Sequence, residues 1–237
     1  MSVFDGQLAL VTGSSRGIGA AIAEALAASG AHVVLTGRDV KALEAVEERI
    51  FAAGGAATIA PVDLGESDGI SRLATALASR WSALDILVHS AAILPQLTSV
   101  TDIDQVAFSK ALTTNTLATQ ALIGAFDPLL KRSKDARFVY LTTSVATTPR
   151  AFWGAYAASK AAGEVLVDCY AQEVRNISKI RVAIVDPGAT RTAMRARAYP
   201  GEDPQTVKLP EVVAASVVSL LGEQFASPRR LRVNQPS

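Results

Sequence analysis

Leu8-Ala-Leu-Val-Thr-Gly-Ser-Ser-Arg-Gly-Ile-Gly19 is the stretch on which the fold turns. Leu8 to Val11 is a short, wholly apolar run of the kind a buried strand needs, and residues 20–29 are alanine-rich and helical in pattern. Between them stand Gly13, Gly17 and Gly19. Glycines here permit a tight turn and let backbone N–H groups approach a pyrophosphate at a helix N-terminus. A glycine triplet alone equally suits a structural turn. Strand–loop–helix context favours the binding reading.

The same unit repeats outward. Apolar runs at residues 33–36, 57–61, 85–89, 137–141 and 181–185 alternate with helical patterns at 40–53, 67–81, 104–130 and 155–176. That rhythm predicts βαβ units and a parallel sheet covered on both faces. The expected fold class is α/β, a doubly wound Rossmann-type sheet in a single domain over residues 1–237. Residues 191–208 are polar, carry Pro200 and Pro204, and break the rhythm. With Pro210 behind them they mark 191–210 as a substrate loop. Residues 211–221 read as a further helix and 230–233 as a last edge strand.

Charge narrows the partners. With 23 Lys plus Arg against 22 Asp plus Glu, the formal charge of +1 argues against a dedicated nucleic-acid or anionic-membrane binder. No apolar run reaches the ~18 residues of a spanning helix. Met1 to Asp5 lacks the basic region of a signal peptide, so a cytoplasmic, soluble protein is expected. The single cysteine, Cys169, excludes an intrachain disulfide and is expected as a packed core or interface thiol. His32 and His89 show no ligand spacing, and no metal is expected.

Tyr156 and Lys160 stand at i and i+4, on one face of any helix that carries them. A phenol of pKa ~10 is a poor acid or base at neutral pH. An ammonium beside it favours the phenolate and brings proton transfer within reach.

Together these motifs resemble those of the classical short-chain dehydrogenase/reductase family. Thr12-Gly13 through Gly19 matches its TGxxxGxG pattern, Tyr156 to Lys160 its YxxxK, and Pro187-Gly188 with Thr190 and Thr192 its late PG motif. The resemblance spans residues 6–221. More narrowly, Trp153 to Lys160 and Pro187 to Met194 are similar to a bacterial subgroup of uncharacterised oxidoreductases. The resemblance implies cofactor contacts from Gly13, Ser15, Arg16, Gly17, Ile18 and Gly19, from Asp63 and Leu64, and from Ser90, Ala91 and Ala92. It extends them to Tyr156, Lys160, Pro187, Gly188, Thr190 and Thr192; the last two also suit helix capping. His89-Ser90-Ala91-Ala92 replaces the family's NNAG, and His89 also reads as a satisfied core histidine.

Cofactor choice turns on the second strand's end. The family position that holds Asp for NAD is Gly37, followed by Arg38, with Arg16 in the glycine loop. Two guanidiniums can clamp a 2′-phosphate, so NADP(H) is expected and NAD(H) is the less favoured choice. Asp39 is either a cap for the second helix or a ribose ligand.

The resemblance assigns Tyr156 as the acid/base of hydride exchange between a carbonyl and a secondary alcohol, and Lys160 as the group that lowers its pKa and holds the ribose. Asn115 would join them through its backbone carbonyl. Counting back 13 residues from Tyr156, and forward from Arg137 through the strand, both give Thr143 for the carbonyl-polarising hydroxyl, whereas the local text Thr-Ser-Val-Ala favours Ser144. Either retains a donor. Phe152 and Trp153 wall the substrate cleft or pack on the fifth helix. Arg191, Arg195 and Arg197 form a solvated loop face or meet an anionic substrate group. A homodimer or homotetramer is implied, with Gly163 and Val167 on a face that suits association or covers the sheet. The rival from another class is a noncatalytic nucleotide-sensing protein. The altered NNAG segment and the ambiguous serine position motivate it, and the intact Tyr–Lys–Asn set opposes it.

Overall fold

The computed structural model describes residues 2–66 and 68–234, so Ser67, where the third helix was expected to start, and residues 235–237 lie outside the described residues. The apolar runs become β1 (Leu8–Thr12), β2 (His32–Thr36), β3 (Ala56–Ile59), β4 (Ile86–His89), β5 (Arg137–Leu141) and β6 (Arg181–Asp186). A last strand, β7 (Arg229–Arg232), closes one edge, giving the order β3-β2-β1-β4-β5-β6-β7 with every pair parallel. Three of its four residues are arginines, a composition that discourages edge-to-edge pairing with other chains.

Side-chain alternation splits the sheet between two cores. Ala9 and Val11 of β1 point into one, with Ile22 and Leu26 of α1 (Gly17–Ala28), Leu43 of α2 (Val40–Ala52) and Val217 of α9 (Pro210–Gly222). Leu8 and Leu10 point into the other, with Leu73 of α3 (Gly69–Arg80), Phe126 of α5 (Ala118–Arg132) and Val167 of α7 (Gly154–Val174). The period of two in a strand requires this division once both faces are covered. Chain direction across the sheet reverses between β1 and β4. Crevices at such points take ligands in doubly wound folds.

The predicted helix over 104–130 is not one regular helix. It begins as α4 (Gln105–Leu112), widens into a π turn over Thr113–Leu117, and resumes as α5. Composition gives no sign of the wide turn, because its cause is tertiary. It brings Asn115 into the interior, where the side chain bonds both the N–H and the carbonyl of Ile93 and the hydroxyl of Ser159. Two short helices, α6 (Ser144–Thr147) and α8 (Ala193–Ala198), were too brief to carry a periodic signal.

Two open readings of α7 are narrowed. Cys169 is exposed, which overturns the core-packed reading and leaves the interface one. Gly163 and Val167 are buried within this chain, so their stripe covers the sheet and is not an outer face for association. Gly163 is required there, since a Cβ would meet the Tyr140 hydroxyl and the Asn115 carbonyl. Among the described residues, no helix is long and apolar enough to cross a membrane.

Candidate active site

Above the carboxyl ends of the strands lies one cavity of about 1010 Å³, at the upper end of the range for small-molecule sites. It runs from Arg38 and Asp63 past the glycine loop to Tyr156 and the loop after β6.

At its centre the glycines form a cradle. Gly13 has φ of +67°, and a Cβ there would stand 2.8 Å from the Ala91 Cα; one on Gly19 would meet the Gly13 carbonyl. Only glycine lets these three backbones close up. The segment facing the loop is tied to it by Thr12, whose hydroxyl accepts from the N–H groups of Ser90 and Ala91, both at 3.1 Å. Thr12 also bonds His89 Nδ1 at 2.8 Å, and His89 Nε2 lies 3.0 Å from the Thr119 hydroxyl. His89 is therefore a satisfied core histidine. Burial first, and then the Lys160 charge, push its pKa down to about 3. This brace role of Thr12 went unread in the sequence, although its motif position and its register opposite His89 carry the signal.

At the adenosine-facing end, Gly37 contributes no side chain and a Cβ there would have 3.6 Å of clearance from Ser15 Oγ. Arg38 stands 3.8 Å from Asp63, both half-exposed, and Arg16 is exposed. Asp39 caps α2, accepting from Ala42 N at 3.2 Å. Asp63 accepts from Gly65 N at 2.9 Å, fixing the turn that carries Leu64. Open backbone, donors at the cradle and guanidiniums at this end fit a dinucleotide phosphate chain.

At the other end Tyr156 and Lys160 are both buried, 8% and 2% exposed. The expected lowering of the Tyr156 pKa is not what this geometry gives. Burial, aided by the Asp186 charge, pushes the phenol up to about 12. The Lys160 ammonium turns instead to the Leu141 carbonyl at 2.6 Å and lies 4.1 Å from the centre of the Tyr140 ring. Burial lowers its pKa to about 7, against an opposing pull from Glu164. Thr143 and Ser144 both line the cavity. Asn115 does not; its backbone carbonyl accepts from Thr119 Oγ1 at 3.0 Å, and its side chain braces the wall from behind.

Leu94, Val145, Tyr156 and Ala157 form a third apolar cluster, joined by Leu97, Trp153, Met194 and Ala198. Trp153 packs 6.0 Å from Tyr156 and 5.8 Å from Tyr199, while Phe152 is exposed at φ +71° and does not line the cavity. The loop arginines all have partners; Arg195 and Arg197 also line the cavity, and Arg197 stays exposed. Arg195 pairs with Glu202 at 2.7 Å and lies over Tyr199, Arg197 donates to Leu94 O, and Arg191 donates to Gln205. Pro187, Gly188, Thr190 and Thr192 line the cavity as expected. The Thr190 hydroxyl donates back to Pro187 O, however, and Thr192 caps α8, accepting from Arg195 N at 3.1 Å.

A glycine cradle and a buried Tyr–Lys pair in one cavity agree with the known family that matches. The short chain dehydrogenase family pattern matches residues 7–203. The chain belongs to the short-chain dehydrogenase/reductase family of oxidoreductases. The uncharacterized oxidoreductase YciK of Escherichia coli K12 is 35% identical over 220 residues, covering 92% of this chain and 86% of that protein. A Shigella flexneri chain assigned to the short chain dehydrogenases and solved with NADP is 32% identical, covers 98% of each chain and superposes with a TM-score of 0.94. An Escherichia coli CFT073 counterpart solved with NADPH is 33% identical, covers 99% of both chains and has a TM-score of 0.93. This short-chain dehydrogenase/reductase thus has relatives throughout its length, and its fold is theirs.

Proposed function

We propose that this short-chain dehydrogenase/reductase is an NADP(H)-preferring oxidoreductase that interconverts an apolar carbonyl compound and its secondary alcohol. The observation that carries the reading is the burial of Tyr156 and Lys160, one helical turn apart, in the cavity that opens onto the glycine cradle. NADP(H), when bound, supplies or takes up the hydride. Tyr156 gives its proton to the carbonyl oxygen in reduction and recovers it in oxidation. A pKa near 12 keeps the phenol loaded with its proton but makes it a weak acid, so the transfer depends on a cation that stabilises the phenolate. Lys160, at the edge between a charged and a neutral amine, stabilises the phenolate whenever it is protonated.

Strand parity favours Ser144 for the polarising hydroxyl. Tyr140 points toward α7, meeting the Lys160 carbonyl, and Thr142 does the same, meeting Glu164. Leu141 points to the opposite core. Thr143 is still extended, at φ −157° and ψ 149°, so alternation turns Ser144 back toward the α7 face that bears Tyr156.

NADP(H) over NAD(H) is supported by Gly37, by Arg38 and Arg16, and by the commitment of Asp39 to capping. The relatives solved with NADP and NADPH agree. The apolar walls, Leu94, Val145, Trp153 and Met194, suit an apolar substrate body, and residues 191–210 would close over it as the substrate loop. Exposed Leu117 and Val165 on the two long helical segments suit assembly as a homodimer or homotetramer. Against the nucleotide-sensor alternative, the His89 ring and the Ser90 and Ala91 N–H groups are hydrogen-bonded, so the altered segment is braced beside the cradle.

Fluorescence titration with NADPH and NADH, beside an aldehyde and ketone panel, tests the proposal. NADPH should bind more tightly, Arg38→Ala should erase that margin, and Tyr156→Phe should cut turnover ~10²–10⁴-fold. Tight NADPH binding with no turnover across the panel would return the sensor reading.

A further inference from the structure

One turn beyond Lys160 on α7 stands Glu164, a carboxylate only 5% exposed and absent from the chemistry above. A buried carboxylate is costly unless it is paired and hydrogen-bonded. Here one oxygen accepts from the Thr142 hydroxyl and the other from the Arg230 guanidinium, which also holds Asp168. Thr142 directly follows Leu141, whose carbonyl takes the Lys160 ammonium. The carboxylate and the ammonium are therefore anchored to adjacent residues at the end of β5, on the same helix face. Arg230 arrives from edge strand β7 and closes the outer side.

We infer that Glu164 is a positioning residue for Lys160: its buried carboxylate, held by Thr142 and Arg230 one helical turn along α7, is the anion set beside the end of β5 that takes the ammonium. The inference rests on the reading that Lys160 acts with Tyr156, and it adds the group on which that action depends. Below Lys160 on β5 the Tyr140 phenol is held neutral, since burial raises its pKa. His89 on β4 is neutral, because burial has already driven its pKa to about 3. Tyr156 is protonated, and Asp186, at the end of β6, is engaged by Gly188 N and faces Arg232. Asp168 lies a further turn out and is taken by Arg230. Glu164 remains as the anion opposing the desolvation of the ammonium, and its pull on Lys160 is upward.

The test follows Lys160 itself, by the pH titration of its Cε–Hε resonance in isotopically labelled protein, assigned with Lys160→Arg. Glu164→Gln keeps the size and acceptor oxygen but removes the charge. The Lys160 midpoint should fall by on the order of one unit, and Glu164→Asp, which keeps the charge, should restore most of it. Arg230→Leu removes the competing cation and should raise the midpoint; it also keeps the proposal testable should Glu164→Gln not fold. In turnover, Glu164→Gln should lose activity at pH 8 while retaining it near pH 6. A midpoint unmoved in the folded variants, or an activity loss equal at every pH, would assign Glu164 a packing role and overturn the inference. Absence of wild-type turnover would count against the proposed function, and the resonance titration still decides this one.

Discussion

His89 Nδ1 lies 2.8 Å from the hydroxyl of Thr12, directly across the β1–β4 pairing, and that contact joins the histidine to the segment facing the glycine loop. The same hydroxyl accepts from Ser90 and Ala91, so the imidazole must stay neutral for the network to hold. Its folded pKa, about 3, lies below the 6.5 of an unfolded histidine. From pH 6.5 down toward 3 the unfolded chain binds a proton that the folded chain refuses, so stability falls as pH falls. Within that window the slope is roughly 1.4 kcal/mol per pH unit. Denaturant unfolding at stepped pH should therefore show a shallower acid decline for His89→Asn than for wild type. Parallel curves would mean that His89 titrates normally.

Gly13→Ala should weaken NADPH binding at least tenfold, while Gly6→Ala should leave it unchanged. Both glycines have positive φ, +67° and +75°, so both variants carry the left-handed backbone penalty of ~1–2 kcal/mol. They differ in surroundings. A Cβ at Gly6 meets nothing within 4 Å, whereas one at Gly13 presses on Ala91. Paired unfolding curves and NADPH titrations separate strain from close approach. Equal binding losses would deny the cradle its role.

Much of this was legible because local pattern and global fold agree. Runs such as Arg137-Phe-Val-Tyr-Leu141 can only be central strands, and each recurs between helical patterns, which leaves few topologies besides the doubly wound one. Tyr156, Lys160 and the glycines were readable because their chemistry depends on short spacings. The hidden parts depend on distant partners. The π turn at Asn115 is set by Ile93 and Ser159, far along the chain, and no neighbour of Asn115 announces it. Cys169 followed the apolar helical pattern yet faces outward, because the face of α7 one position away, at Tyr170, takes the core. The partners of Arg191, Arg195 and Arg197 were hidden because Gln205, Glu202 and the Leu94 carbonyl reach them only in the folded loop.

Gly37→Asp should invert the cofactor preference. The nearest atom to a Cβ at Gly37 is Ser15 Oγ at 3.6 Å, so a short side chain fits without displacing the glycine loop. A carboxylate there repels a 2′-phosphate and accepts hydrogen bonds from ribose hydroxyls. NADPH affinity should fall at least tenfold and NADH affinity should rise, both read by nicotinamide fluorescence, with little change in thermal stability. Unchanged NADPH binding would place the 2′-phosphate elsewhere than beside Arg38.

The two adjacent hydroxyls at the cavity give the last prediction. Sequence spacing from Tyr156 points to Thr143, but the chain between β5 and α7 carries α6, and a count across it says nothing about direction. Tyr140 and Thr142 meet α7 and Leu141 packs into the opposite core; Thr143 is extended, so continued alternation would bring Ser144 to the α7 side. A group that polarises a carbonyl must share the side of Tyr156. Ser144→Ala should therefore lower kcat by ~10²–10³ with little change in cofactor affinity. Thr143→Val, which preserves shape and loses only the hydroxyl, should cost no more than about fivefold, the ~1 kcal/mol of one lost neutral hydrogen bond. If Thr143→Val proves the damaging change, the chain must rotate between Thr142 and Ser144 during turnover, and the spacing rule would outrank strand parity.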